Sequence, residues 1–500
     1  MNLDRRRFFT HSAALAAALA APRLSFAALQ TLTGVDDDVR AVTGDRRDIV
    51  LDRASVSELA DALRGYLILP GSAGYDEARQ VLNASIDKYP ALIVQPTGVA
   101  DVRTAVDFAR EHSLLTAVKC GGHSWSGKSS CNGGLQIDLS RLRHVRVDPQ
   151  ARRAWAAGGS LLGELDHEAM AHGLVTTAGT VSHTGIGGLT LGGGFGRLAR
   201  RFGLALDNVR AVDIVTADGQ LRHASADENP DLYWGVRGGG GNFGIVTSFE
   251  FELHPMQRTV TGGEYIYPLA RAREVLDFYL EFGASSPDNL YTDLIMMKPP
   301  GDAPGIVMLH VCHSGSAAEA EKDLAPVERL GAPLQSTIRA VDYVALQRAF
   351  DYSDPRGSGT YLKSGFVQDP DRAVVDAIVD GFEPDPARMT MLFFQVAGGA
   401  IARVPADATA FPHRYATHTM FTTSDWPAGA DGSKHMAYTR AYWKTLEPYT
   451  QGYYTNETAD EGQQAINRNY QGNFARLQQV KDRYDPTNLF RLNANVPPSA

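Results

Sequence analysis

Apolar and polar positions along this chain follow two rhythms, one of period two and one near 3.6, and together they mark out most of its elements. Residues 91–94 (Ala-Leu-Ile-Val) form an unbroken apolar run, Val99, Val102, Val106 and Ala109 follow at helical spacing, and residues 115–119 are extended again. The pattern predicts strand, helix, strand, ending directly on Gly121-Gly122-His123, at the strand end where α/β folds place ligands. Residues 213–216 and 220–224 flank Asp218-Gly219 and predict a hairpin. Asn229-Pro230 reads as a helix start, with Pro in the first turn. Ile245, Thr247, Phe249, Phe251 and Leu253 then alternate with Ser248, Glu250 and Glu252, which predicts a half-buried strand.

From residue 258 to 455 the pattern changes to further strands and amphipathic helices, among them 270–282, 317–330 and 371–382. This segment predicts a separate domain built on an antiparallel sheet. A last helix carries Leu477, Val480 and Tyr484 and is stopped by Asp485-Pro486. The chain therefore divides into a lead-in at 28–84, a first domain at 85–257, a second at 258–455 and a closing segment at 456–500.

Composition sharpens this picture in one respect. With 44% hydrophobic and 21% charged residues the chain is neither disordered nor fibrous. Its 49 glycines, however, are concentrated: 19 of them fall in residues 121–134, 179–196 and 235–244, which marks three loops where backbone must approach something closely. The net charge of −9 comes with no basic block, so nucleic acid is not an expected partner.

The N-terminus departs from that balance. Arg5-Arg6-Arg7-Phe8-Phe9 precedes an alanine-leucine run at 13–21 and the small-residue site Ser25-Phe26-Ala27, the pattern of a twin-arginine export signal over residues 1–27. Its removal would take the net charge to −12. The apolar run is too short for a membrane anchor, which needs roughly 20 residues. The twin-arginine translocase is thus an expected partner, and a periplasmic or secreted location follows. Cys120, Cys131 and Cys312 are too few for a disulfide framework, and the sequence leaves a Cys120–Cys131 pair open.

Several chemistries drop out on motif grounds. No Gly-x-Ser-x-Gly elbow occurs, and no Gly-Lys-Ser/Thr closes a P-loop. His167 and His172 stand five residues apart, on different faces of a regular helix, so they cannot share a metal there. Gly185-Ile186-Gly187-Gly188 lacks the spacing of a dinucleotide fingerprint. The glycine loops suit instead a large cofactor with a phosphate bridge, cradled by backbone N–H groups, and His123 is the notable side chain among them.

Four segments carry a resemblance. Lys119-Cys120-Gly121-Gly122-His123-Ser124-Trp125-Ser126-Gly127, the run Thr184 to Gly196, the run Arg237 to Val246, and the run Tyr484 to Asn495 together resemble FAD-linked oxidases of the vanillyl-alcohol oxidase/p-cresol methylhydroxylase (PCMH) fold, berberine bridge enzyme-like group. The resemblance implies an α+β chain in which a two-part PCMH-type FAD-binding domain, closed by the C-terminal segment, holds an inserted substrate domain on an antiparallel sheet flanked by helices. It implies one covalent bond from His123 to the flavin 8α-methyl carbon. Lys119, Cys120, Gly121, Gly122, Ser124, Gly127, Thr184, Gly185, Gly187 and Gly188 would cradle the cofactor, with Gly244, Ile245, Val246, Asn493 and Asn495. Val181 stands where many relatives carry a second linking cysteine, so attachment would be single. Thr184 takes the place of an aliphatic gatekeeper for oxygen.

The implied reaction is hydride transfer from an alcohol, sugar or amine substrate to flavin, with dioxygen as the final acceptor and hydrogen peroxide as product. Tyr454 is the expected proton-handling group, Lys363 the cation beside it, and Glu457 a second candidate base. A dehydrogenase serving a quinone and a secreted flavin-carrying binding protein are the alternatives.

Overall fold

The computed structural model describes residues 35–351 and 357–499, so the twin-arginine stretch at 1–27 lies outside the described residues. The apolar run at 91–94 becomes strand β2 (Leu92–Gln95), every residue of which is buried. It belongs to a four-stranded sheet with β1 (Tyr66–Ile68), β3 (Thr116–Lys119) and β4 (Leu135–Asp138), in the order β1-β2-β4-β3. Both β2 and β3 run parallel to β4, and a parallel strand covered on both faces needs the continuous hydrophobicity that made β2 legible.

Strand β4 is a difference from the expected strand-helix-strand unit, because it inserts between its two strands. Its Leu-Gln-Ile-Asp sequence gave no strand signal, since half of it is polar. Both side chains find partners inside: Gln136 donates to the Ala78 carbonyl at 2.8 Å, and Asp138 accepts from Gln95 at 2.9 Å. Helix α1 (Val99–Glu111) packs Val102, Ala105, Val106 and Ala109 onto this sheet. Residues 39–84, expected as a lead-in, are structural: β1 pairs with β2, and Leu115 donates to the Val42 carbonyl at 2.9 Å.

The second sheet is antiparallel, in the order β8-β7-β9-β6-β5, from β5 (Val145–Asp148), β6 (Arg153–Ala157), β7 (Val209–Thr216), β8 (Leu221–Ser225) and β9 (Gly244–Glu252). Strands β7 and β8 form the hairpin around Asp218-Gly219, with Gly219 at φ +76° in the turn. Strand β9 buries Ile245, Thr247, Phe249 and Phe251 as its alternation requires.

The third sheet, eight-stranded and wholly antiparallel, includes β10 (Thr259–Pro268), β11 (Leu290–Lys298), β12 (Ile306–His313), β13 (Ser358–Val367), β14 (Met389–Val396) and β15 (His418–Pro427), in the order β10-β12-β11-β14-β15-β13. Helices Ala272–Ser285, Arg372–Gly381 and Ser433–Leu446 contribute to the core on one face of it. Its other face turns toward the first two sheets.

The C-terminal segment returns to those sheets through the helix Phe474–Tyr484 and a buried ion pair. Lys481 and Asp485 meet at 2.6 Å, both side chains fully inaccessible. Lys481 also donates to the Asn242 carbonyl at 2.8 Å, and Asp485 accepts from the N–H groups of Leu489 and Phe490. The pair thereby pins the third glycine loop to the tail. Asp485→Ala would strand an ammonium in the core, and we expect a loss of about 3–5 kcal/mol in denaturant unfolding.

Candidate active site

Strand β3 ends at Lys119, and the chain then turns along the wall of a cavity of about 930 Å³, near the top of the roughly 300–1,000 Å³ range of ligand pockets. The cavity lies between the first two sheets and the free face of the third. Two glycine loops meet at its base. A Cβ on Gly121 would stand 2.4 Å from the Gly185 nitrogen, and one on Gly185 would stand 2.3 Å from the Gly121 nitrogen, so both positions require glycine for backbone-to-backbone contact. Gly188 differs: a Cβ there meets nothing within 4 Å and would project into open space. Gly121→Ala should therefore lower the melting temperature by forcing the loops apart, whereas Gly188→Ala should leave folding intact and weaken FAD retention on gel filtration.

The remaining polar groups of the cradle suit an elongated anionic ligand. The N–H groups of Gly122, Ser124, Trp125 and Ser126 find no acceptor among the described residues, and all four residues line the cavity. The buried hydroxyl of Ser129, also on the wall, has no hydrogen-bond partner there either. A row of unpartnered N–H groups along a cavity wall is the backbone arrangement that receives phosphate oxygens, so the residues present fit a dinucleotide.

His123 sits above this row with both ring nitrogens engaged. Its Nε2 is 2.6 Å from His183 Nδ1, and its Nδ1 is 3.3 Å from the Thr184 hydroxyl. Val181 lines the same wall and packs with Ile295, Met308 and Phe350. From the C-terminal side, Tyr454 places its hydroxyl under two donors, the Gly194 N–H at 2.8 Å and the Asn456 amide at 2.9 Å. Burial raises its phenol well above the ordinary value, reinforced by the nearby Glu457 carboxylate. Glu457 is half-buried, its inaccessible Oε2 finds no partner among the described residues, and desolvation, aided by the charge of Asp293, pushes its carboxyl up to about 8.

The third sheet supplies the facing wall by strand alternation. Ile295 and Met297 of β11, Met391 and Phe393 of β14, and Phe421 of β15 face the cavity, with Phe393 and Phe421 stacked at 4.9 Å. Asp293 has the same parity on β11. It accepts from the Tyr291 hydroxyl at 2.6 Å, and burial pushes its carboxyl up to about 7.

Residue 90 to 225 of the chain match the family model described as "FAD binding domain", and residues 453–497 match that of "Berberine and berberine like". An FAD-linked oxidoreductase of Dictyostelium discoideum is 32% identical over 448 residues, spanning 89% of this chain and 97% of that protein. The chain belongs to the berberine bridge enzyme-like FAD-linked oxidoreductases. The crystal structure of 6-hydroxy-D-nicotine oxidase from Arthrobacter nicotinovorans superposes on this FAD-linked oxidoreductase with a TM-score of 0.80 at 28% identity, over 87% of this chain and 98% of that one. A chitooligosaccharide oxidase superposes with a TM-score of 0.81 at 25% identity, over 89% of this chain and all of that one. This FAD-linked oxidoreductase therefore takes FAD as its cofactor, and acts on a small molecule.

Against that frame the expected site residues divide. Cys120, Gly121, Gly122, His123, Ser124, Val181, Thr184, Gly185, Gly187, Gly188, Gly244, Ile245, Val246, Asn493, Tyr454 and Glu457 all line the cavity. Four others are corrected. Lys119 is buried with its ammonium on the Ala78 carbonyl and 3.4 Å from Asp138, where it holds the end of β3. Gly127, at φ +66°, is a turn glycine packed on Ile86. Asn495 stands off the cavity, its carbonyl accepting from Gln463. Lys363 is not beside the Tyr454 hydroxyl: Leu362 takes the cavity face of β13, and Lys363, of opposite parity, pairs with Asp460 at 2.9 Å and Glu461 at 2.7 Å. The three cysteines are free thiols, so Cys120 and Cys131 are not paired.

The sequence reading missed His183 and Asp293. His183 lay inside the second glycine segment, and its adjacency to His123 has no local signal, because the two are 60 residues apart. Asp293 sits in a strand whose period-two pattern places it with Ile295 and Met297, so parity alone pointed to it. No helix among the described residues is long and apolar enough to cross a membrane.

Proposed function

We propose that this enzyme is an oxidase that removes hydride from a C–H bond of an alcohol or amine carried on an apolar frame. Bound FAD supplies the two-electron acceptor for that hydride and, in an oxidase, returns the electrons to dioxygen as hydrogen peroxide. The observation that carries the reading is Glu457: a carboxyl with one oxygen inaccessible and unpartnered among the described residues, on the wall shared with His123 and Tyr454.

Glu457 accepts the hydroxyl or ammonium proton as the C–H bond breaks. A carboxylate raised toward 8 is basic enough for this near neutral pH, which an ordinary glutamate is not. Tyr454 takes a different part from the one first expected. Its oxygen already accepts two hydrogen bonds and no cation stands beside it among the described residues, so it stays a neutral phenol and offers its O–H as a hydrogen bond to the substrate heteroatom. The apolar wall of Ile295, Met297, Met391, Phe393 and Phe421 excludes water and offers ring faces, which favours an aromatic or aliphatic frame over an oligosaccharide.

The same proposal holds FAD by a single covalent bond at His123, because valine at position 181 has no thiol. It places the mature enzyme outside the cytoplasm after twin-arginine export, on the strength of residues 1–27. The test is anaerobic mixing with panels of aromatic alcohols, aliphatic amines and oligosaccharides, followed by air. Bleaching of the flavin band by the first two classes, then rapid recovery with one peroxide per turnover, is expected. Recovery only with an added quinone would make the enzyme a dehydrogenase instead.

A further inference from the structure

His123 approaches the cavity with only one edge of its ring. The Nδ1 edge faces Thr184, a cavity-lining residue, whereas the Nε2 edge is directed at His183, which does not line the cavity. The 2.6 Å separation from His183 Nδ1 is a short hydrogen bond between two imidazoles, with ring centroids 4.7 Å apart. One of the two facing nitrogens must carry the proton and the other must accept it. If His123 is the donor, its Nδ1 keeps a lone pair on the cavity side, and the Thr184 hydroxyl donates to that lone pair at rest.

We propose that His183 is a positioning residue that selects this tautomer of His123 and accepts its Nε2 proton as the covalent bond to FAD forms. The inference rests on the reading that His123 is the attachment point. Alkylation of a neutral imidazole at Nδ1 leaves a positive charge on the ring, and that charge is discharged by loss of the Nε2 proton. His183, with its Nδ1 2.6 Å from that nitrogen, is in place to take it.

The step balances with dioxygen as oxidant. One C–H bond of the 8α-methyl group and one N–H bond of His123 are lost, and one C–N bond forms. Two protons and two electrons leave to dioxygen as hydrogen peroxide, with His183 carrying the imidazole proton on its way out.

The test follows covalent incorporation and not turnover. Full-length wild type, His183→Ala and His183→Asn are produced without flavin and mixed with FAD in air. Samples quenched over time are read by intact mass, as the gain of one FAD, and by flavin fluorescence of the denatured band. Asparagine keeps a hydrogen-bond acceptor near the Nδ1 position but is far too weak a base to hold the proton. Both variants are expected to form the bond on the order of 100-fold more slowly than wild type, with non-covalent FAD binding retained in His183→Asn and the rate in His183→Ala restored by added imidazole. Incorporation at the wild-type rate in His183→Asn overturns the assignment, whatever the folding of the alanine variant. Wild type that never retains flavin after denaturation removes the attachment at His123 and this role together.

Discussion

Glu457→Gln is expected to slow reduction of the bound flavin by substrate by about 100-fold to 10,000-fold, the range over which a positioned general base contributes. Glutamine has almost the same shape and keeps a carbonyl oxygen on the cavity wall, so the cavity and the FAD content should survive. The pH dependence gives the sign. A base works in its deprotonated form, and burial beside Asp293 pushes Glu457 up to about 8. Below that value the wild-type reduction rate should fall about tenfold per pH unit, and above it the rate should level off. The glutamine variant should show no such rise. Stopped-flow reduction under anaerobic conditions between pH 6 and 10 measures both, with those pH limits set to span about two units either side of the raised carboxyl. A wild-type profile flat through this range, or a glutamine variant reduced at the wild-type rate, would remove Glu457 from the reaction. Tyr454→Phe separates the two roles, because loss of a donor should lower the rate without moving the profile.

His123→Ala should abolish acid-stable flavin altogether. In wild type the flavin is expected to stay with the polypeptide through denaturation; in the variant all of it should appear in the supernatant. Val181 cannot compensate, and Cys120, although on the cavity wall, is held near the Ser160 carbonyl and pushed up to about 11 by burial, so it is a poor nucleophile. The cradle itself should still bind FAD, since the N–H groups at Gly122, Ser124, Trp125 and Ser126 do not depend on the imidazole. Flavin that remains bound to denatured His123→Ala would move the attachment to another residue.

Much of this fold is legible in the sequence. The strands at 92–95 and 116–119, the helix between them, the hairpin at Asp218-Gly219 and the last helix all follow from periodicity and turn chemistry, because in each the local preference and the tertiary demand agree. The strand at 135–138 did not follow, since its Gln136 and Asp138 are buried only by virtue of partners at Ala78 and Gln95. The glycine loops were legible as loops but their individual roles were not. Gly121 and Gly185 exist for each other, Gly238 for Phe411, and only a few, such as Gly188, open on the cavity.

The division among the candidate side chains has one cause. Residues fixed by a local motif, His123 and Glu457 among them, could be placed on the site by sequence, because the motif sets the loop and the loop sets the side chain. Lys363 could not, because a strand places successive side chains on opposite faces, and which face meets the cavity depends on how the eight-stranded sheet docks. His183 likewise acquires its chemistry from a neighbour 60 residues away, and Asp293 from the packing that buries it. The sequence by itself determined the family, the glycine loops and the valine at position 181. The tertiary structure alone decided which imidazole faces His123 and which carboxyl loses its solvent, because proximity and burial are properties of the packed chain.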